Sequence, residues 1–180
     1  ENLDKQSSKE RKITPPQPIK DHLGLDRWYF RDSNWSPDFS ESAKKSLELY
    51  KAEGGIHAQD ITIVLAVTPT VMEELLRLVG PITIDGQTFT ADSVTEKLQY
   101  EVEYGFRNRG IAATDRKDIL EPFMREILKK AAGSIFTKAP ALMALGERMI
   151  KEKQLLAYST KTETQKLLDD AGIPGRVAST

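Results

Sequence analysis

The run Trp28-Tyr29-Phe30-Arg31-Asp32-Ser33-Asn34-Trp35-Ser36-Pro37-Asp38-Phe39 gathers more residues able to do chemistry than any other stretch of this chain. Arg31 offers a planar fork that can grip a phosphate with two parallel hydrogen bonds. Asp32 beside it can hold a divalent cation or accept a proton. Asn34 and Asp38 add polar ligands to the same loop, and loops beyond strand ends are where α/β proteins tend to place their sites. Adjacent Arg and Asp also serve, more often, as a local ion pair that pins a loop. In that reading Trp35 is a lid on the core, and Asp38 or Ser40 caps the helix that follows.

A second set follows about seventy residues later by the numbering: Arg107, Arg109, Arg116 and Lys117 form the basic cluster of the folded part. With Arg31 it could grip an anion; with Asp115 and Asp118 it makes a balanced surface. The sequence leaves both open. Glu101 and Glu103 are not a catalytic pair, because residues two apart on a helix point to different faces; a solvated helix face accounts for them. Glycine-rich phosphate loops, Ser/His/Asp sets and metal-ligand spacings are absent from the sequence, so no catalytic residue and no metal site are assigned.

Composition narrows the classes. The chain has 180 residues, enough for one domain with a proper core. Its 26 basic and 27 acidic residues are dispersed and give a net charge of -1, unlike a nucleic-acid binder with its clustered basic excess. The absence of cysteine excludes disulfides, thiolate metal sites and cysteine nucleophiles, without fixing the compartment. His22 and His57 are far apart in sequence, which argues against a histidine-rich zinc site. No apolar run approaches the ~20 residues of a membrane span, and no signal-peptide pattern opens the chain.

The elements that must position the loop follow from periodicity. Residues 1–20 are charged and punctuated by Pro15, Pro16 and Pro18, and read as a flexible tail or linker. Order is expected from about Asp21, with Trp28 to Arg31 as a short strand. Phe39, Ala43, Leu47 and Tyr50 make a helical stripe that Gly54-Gly55 ends. The nearly continuous apolar run Ile61 to Val67 predicts a central strand buried on both faces, flanked by the helices of Leu47 and Leu75. Thr68-Pro69 then supplies an N-cap and first-turn proline for a helix carrying Met72, Leu75, Leu76 and Val79.

Asp85-Gly86 predicts a hairpin between Ile82–Ile84 and Gln87–Phe89, its two central positions needing positive φ. Thr90 caps a helix with Val94, Leu98 and Val102 inward, and residues 105–114 form a loop. A helix with Leu120, Phe123, Met124, Ile127 and Leu128 on its apolar face has Pro122 in its first turn. Pro140 opens another helix (Leu142, Leu145, Met149). Leu155 to Tyr158 is a last strand, and the helix after Thr160 ends at Gly172-Ile173-Pro174.

These residues carry a resemblance. The run Arg31 to Phe39 resembles the signature of a bacterial envelope family, domain of unknown function four-zero-one-two. Asp60 with the strand to Val67, Gly80-Pro81-Ile82-Thr83, Leu155-Leu156-Ala157-Tyr158-Ser159, Gln165 and the Ala171-Gly172 turn follow in the same order, over roughly residues 20 to 176. The resemblance implies an extracytoplasmic, membrane-anchored protein. The anchor and a glycine-rich segment are expected upstream, so that this chain is a fragment.

From about Tyr29 to Lys130 the order of elements is also similar to LytR-CpsA-Psr proteins, which attach glycopolymers from a polyprenyl-pyrophosphate carrier to the bacterial wall. That similarity implies a pyrophosphate and Mg²⁺ site at Arg31 and Asp32. Where that family has arginines directly after a helix tyrosine, this chain has Tyr100-Glu101-Val102-Glu103-Tyr104, which inverts the charge a pyrophosphate needs. The Arg-x-x-Arg-Gln pattern is reduced to Asp115-Arg116-Lys117-Asp118.

The expectation is an α/β fold, a central sheet flanked by helices in α-β-α layers resembling the LytR-CpsA-Psr core. It should form a single domain over residues 21–176, with tails at 1–20 and 177–180. The expected function is non-catalytic binding or scaffolding in the envelope, toward a cell-envelope polymer, a membrane-lipid carrier or the missing N-terminal segment, and not nucleic acid. The alternative is glycopolymer transfer, with Mg²⁺ as its cofactor.

Overall fold

The structure, a computed structural model, describes residues 13–112 and 117–177. In chain order the elements are α1 (Gln17–Leu23), a 3₁₀ turn (Phe30–Asp32), α2 (Phe39–Ala52), β1 (Ile63–Val67), α3 (Pro69–Val79), β2 (Ile82–Ile84), β3 (Gln87–Phe89) and α4 (Val94–Tyr100). A π-helical turn, Glu101–Gly105, prolongs α4 into the short helix Phe106–Asn108. Then come α5 (Leu120–Gly133), α6 (Ile135–Lys151), β4 (Leu155–Ser159) and α7 (Thr162–Asp170).

The fold is mixed α and β and mostly helical. In place of the single central sheet expected from the sequence, the described residues form two separate two-stranded sheets, β1 with β4 and β2 with β3. The β1–β4 pair is antiparallel: Thr160 N–H bonds the Thr62 carbonyl at one end, and Thr68 N–H bonds the Gln154 carbonyl at the other. The chain forms two compact units. One is the segment up to Leu65 together with Leu156 onward; the other is Ala66–Leu155.

The second unit holds the continuous hydrophobic core. Met72 and Leu76 of α3, Ile82, Ile84 and Phe89 of the hairpin, Val94 of α4, and Ile119, Phe123 and Ile127 of the α5 region pack together. Phe89 meets Phe123 nearly edge-on, with ring centroids 5.5 Å apart, a geometry that aligns ring edge with ring face. The hairpin forms as the sequence predicts, with Ile82 opposite Phe89 and Ile84 opposite Gln87. Asp85 (φ 49°) and Gly86 (φ 80°) both take the positive φ of a type I′ turn. Pro122 lies in the first turn of α5. Pro140 lies in α6 just after a break at Lys138 (φ -128°, ψ 16°), since its ring cannot follow regular helix.

In the first unit order begins before Asp21. Ile13 accepts the Trp28 N–H at 2.8 Å, and Ile19 on α1 is buried. The stripe of α2 is as expected, with Ala43 and Leu49 buried.

Five expectations are corrected. Trp28 to Arg31 is not a strand: the Phe30 N–H goes to the Glu53 carboxylate and the Trp28 indole N–H to the Asp32 carbonyl, which closes the segment into a 3₁₀ turn. β1 is not buried on both faces, since Ile63, Leu65 and Val67 are 51%, 63% and 42% exposed; among the described residues its ladder partner is β4. Residues 105–108 are helical rather than loop. Leu128 faces outward from α5 while Phe123 and Ile127 face in. Thr68 holds the N-cap position of α3, but its hydroxyl bonds the Gln154 side chain instead of the helix.

Candidate functional site

The Arg31–Asp38 loop belongs to the first unit. Arg31 lies with its guanidinium 4.3 Å from the Tyr29 ring centroid and its Nε 3.6 Å from the Asp32 carboxylate. The 3₁₀ turn sets this arrangement, because Asp32 N–H closes onto the Tyr29 carbonyl and Ser33 N–H onto the Phe30 carbonyl. Asp32 Oδ2 is out of water and accepts no hydrogen bond among the described residues. Asn34 is exposed and Trp35 is half exposed, so Trp35 is no lid on the core. Asp38 caps α2, accepting the Ser40 N–H at 2.8 Å. Ser36 and Ser42 tie the loop to the helix through hydrogen bonds in both directions. The cap therefore accounts for Asp38 without any ligand.

Arg107 and Arg109 belong to the second unit, and Arg116 lies outside the described residues. Arg107 stacks over the Phe106 ring at 5.5 Å. Arg109 pairs with Glu101 at 2.5 Å. Glu101 is buried, not solvated as its helical position suggests, and Glu103 is exposed. The π turn is the reason: one additional residue in the helical winding carries Glu101 inward and returns Arg109 over it.

A polar cluster in the first unit went unread in the sequence. Arg176 grips Asp169 with two hydrogen bonds, Nε to Oδ1 at 2.7 Å and a terminal nitrogen to Oδ2 at 3.0 Å. Gln165 donates to the same carboxylate at 2.9 Å and accepts the Ser159 N–H at 2.7 Å. The Arg176 guanidinium, and then Gln165, hold the Asp169 carboxyl below its ordinary range. On α2, the hydrogen bond that Lys44 donates to the Glu41 carboxylate holds the Lys44 ammonium above its ordinary range. This cluster ties α7 to β4 and to the segment beyond Pro174.

A feature shaped for a ligand among the described residues is a cleft of about 500 Å³ in the second unit. Met72 of α3, Val94, Leu98 and Val102 along α4, and Phe123 and Met124 of α5 form its wall. Thr68, Thr95, Gln99 and Glu103 bring polar atoms to it, and Glu103 is the one charged residue among the described lining side chains. The rim is hydrogen-bonded: Thr95 donates to Glu73 at 2.5 Å and Gln99 to Glu103 at 3.4 Å. Clefts of this size, largely apolar with a few polar groups, are the usual form of small-ligand sites. Sequence reading assigned these side chains to the core. The available signal was the apolar stripe of α4, which runs on through Val102 beyond the part that packs fully.

No curated protein and no solved structure matches the chain. A family model matches residues 3–102, from the N-terminal segment through the motif loop, β1, the hairpin and α4. The resemblance drawn through β4, Gln165 and the Ala171-Gly172 turn lies beyond that span. On this match, which covers more than half of its length, the chain belongs to the family described as Protein of unknown function (DUF4012).

Proposed function

We propose that this chain is a non-catalytic binding domain of a bacterial cell-envelope protein, placed outside the cytoplasmic membrane, and that its ligand inserts an apolar group into the α3–α4–α5 cleft. The observation that carries the reading is the cleft's lining: an apolar wall on which the charged side chain among the described residues is an acid, Glu103. A carboxylate at the rim repels a pyrophosphate and leaves burial of apolar surface as the driving term. The pairing of Arg31 with Asp32 and of Arg109 with Glu101 supports the same reading, since both guanidiniums already have an anionic partner.

Glycopolymer transfer in the manner of LytR-CpsA-Psr proteins is the second reading, and one observation favours it. Asp32 Oδ2, shielded from water beside Arg31 with no hydrogen bond, is a carboxylate oxygen suited to a metal or a donor. Against it, the described residues hold no group of three or more acidic or histidine side chains that could bind a metal ion. Asp32 does not by itself make a magnesium site.

Titration of geranylgeraniol and of geranylgeranyl pyrophosphate, each with and without Mg²⁺, separates the two. The binding reading expects geranylgeraniol to bind more tightly than the pyrophosphate, which Glu103 disfavours, with no gain from Mg²⁺ for either, and binding to be lost when Met124→Trp fills the cleft. Mg²⁺-dependent preference for the pyrophosphate, abolished by Arg31→Ala, overturns it in favour of the transferase. Binding of neither probe overturns the cleft as an apolar-chain site.

A further inference from the structure

We infer that the corner between α5 and α6 docks on the surface of an anionic phospholipid bilayer, a role separate from the cleft. Phe136, at the start of α6, is 98% exposed. Ile135 beside it, Leu128 one turn and a half back on α5, and Met143 further along α6 are all more than half exposed. An aromatic ring almost wholly in water contributes nothing to the fold, and four large exposed apolar side chains between Leu128 and Met143, two of them adjacent at the corner itself, exceed the scattered exposure that surfaces normally carry.

The charges around this corner commit it to one occupant. Between Ile127 and Gly146 the chain carries Lys129, Lys130 and Lys138 and no acid. Lys129 is 75% exposed, with Glu126 3.7 Å away. Lys130 and Lys138 turn toward the end of α3, donating to the Pro81 and Leu78 carbonyls. Beside the corner lies a recess of about 480 Å³ whose lining includes Lys129, Lys130, Thr83, Ser134 and Glu126. An apolar tip next to a lysine-lined recess is the arrangement of an interfacial anchor: the side chains enter the headgroup–acyl boundary while lysines meet lipid phosphates. A protein partner of ordinary character would not require the cationic border. No described helix is long and apolar enough to cross a membrane, so the contact is with the surface.

The test is sedimentation of the whole 180-residue chain with phosphatidylcholine vesicles, with and without phosphatidylglycerol. The expected result is binding to the anionic vesicles that weakens in high salt and falls about tenfold in Phe136→Asp, as loss of one inserted aromatic side chain implies. Lys129→Glu should lower it too, while Met124→Trp, which fills the cleft, should leave it unchanged. Phe136→Trp should show a blue-shifted emission component that brominated lipid quenches and that the parent lacks. Equal binding by the parent and Phe136→Asp, or no binding by either, overturns the inference. So does self-association without lipid that Phe136→Asp abolishes, which would make the corner a protein–protein surface.

Discussion

Adding a methyl group at Gly105 should change stability with a sign that depends on residue 101. Gly105 sits in the π turn with ordinary helical dihedrals (φ -60°, ψ -30°), so alanine suits its backbone. Its surroundings do not. A Cβ built there would lie 2.4 Å from Glu101 Oε2 and 2.7 Å from Glu101 Cδ, about an ångström inside van der Waals contact. The carboxylate would have to leave the position in which Arg109 meets it at 2.5 Å. In a regular helix Arg109, eight residues on, would be rotated ~80° from Glu101; one additional residue in the winding reduces this to ~20°. Glycine, wide turn and ion pair thus form one device.

Overpacking at such a site costs about 1–3 kcal/mol, and replacing a helical glycine by alanine recovers about 1 kcal/mol. Gly105→Ala alone should therefore lose about 0–2 kcal/mol, about 1 kcal/mol at the centre of that range. In a Glu101→Ala background the clash is gone, and the same change should gain about 0.5–1 kcal/mol. The four proteins of this cycle, unfolded in urea and compared at constant m, should show a coupling of about 2 kcal/mol. Additive effects within ~0.5 kcal/mol would refute the device. So would a gain from Gly105→Ala in the parent.

Other outcomes follow from single contacts. Leu65→Lys, at a side chain 63% exposed, should shift the thermal midpoint by no more than ~2 °C; a loss of ~3 kcal/mol or more would mean that another layer covers β1 in solution. Asp38→Ala removes the Ser40 N–H acceptor and should cost about 1 kcal/mol by urea denaturation, with Asp38→Asn largely restoring it. Gly86→Ala places a Cβ at φ 80° in the hairpin and should cost about 1 kcal/mol, whereas Asp85→Gly should be tolerated. Because Arg176 lowers the Asp169 pKa, the pair stabilises the fold above the unfolded carboxylate range of ~4 and loses that effect as pH falls through the lower folded value. Urea midpoints of the parent and Arg176→Ala should therefore differ, by under ~1 kcal/mol, at neutral pH and converge in acid.

What was legible in the sequence was local. The Asp85-Gly86 turn, the proline and glycine boundaries of α3, and the strand Leu155–Ser159 with the helix after it depend on residues close in the chain, and each forms where the pattern places it. The exposure of β1 is not legible in its sequence, because an unbroken β-branched run marks strand propensity but not the number of layers packed on it. Trp28–Arg31 was misread because the Glu53 carboxylate, 23 residues on, captures the Phe30 N–H that a strand would have offered a neighbour. Glu101 was read as solvated because helical periodicity assumes 3.6 residues per turn, and the π turn breaks that assumption. The pairing of Arg176 with Asp169 depends on how the last segment returns after Pro174, which no local pattern encodes.

The cleft escaped the sequence for a different reason. Periodicity shows which face of a helix turns inward, but not whether the faces of three helices meet. Leu98, Val102 and Met124 face the core cluster and yet stay partly open to the cleft. Each half-buried aliphatic side chain forgoes about 1 kcal/mol of burial. Three of them together forgo about 3 kcal/mol, a large share of the ~5–15 kcal/mol that stabilises a domain. A fold under selection for stability alone would close such a gap by one larger side chain, as Met124→Trp does in the binding test. Leaving it open is advantageous when a ligand completes the burial and, by binding the folded form alone, returns the stability as added affinity.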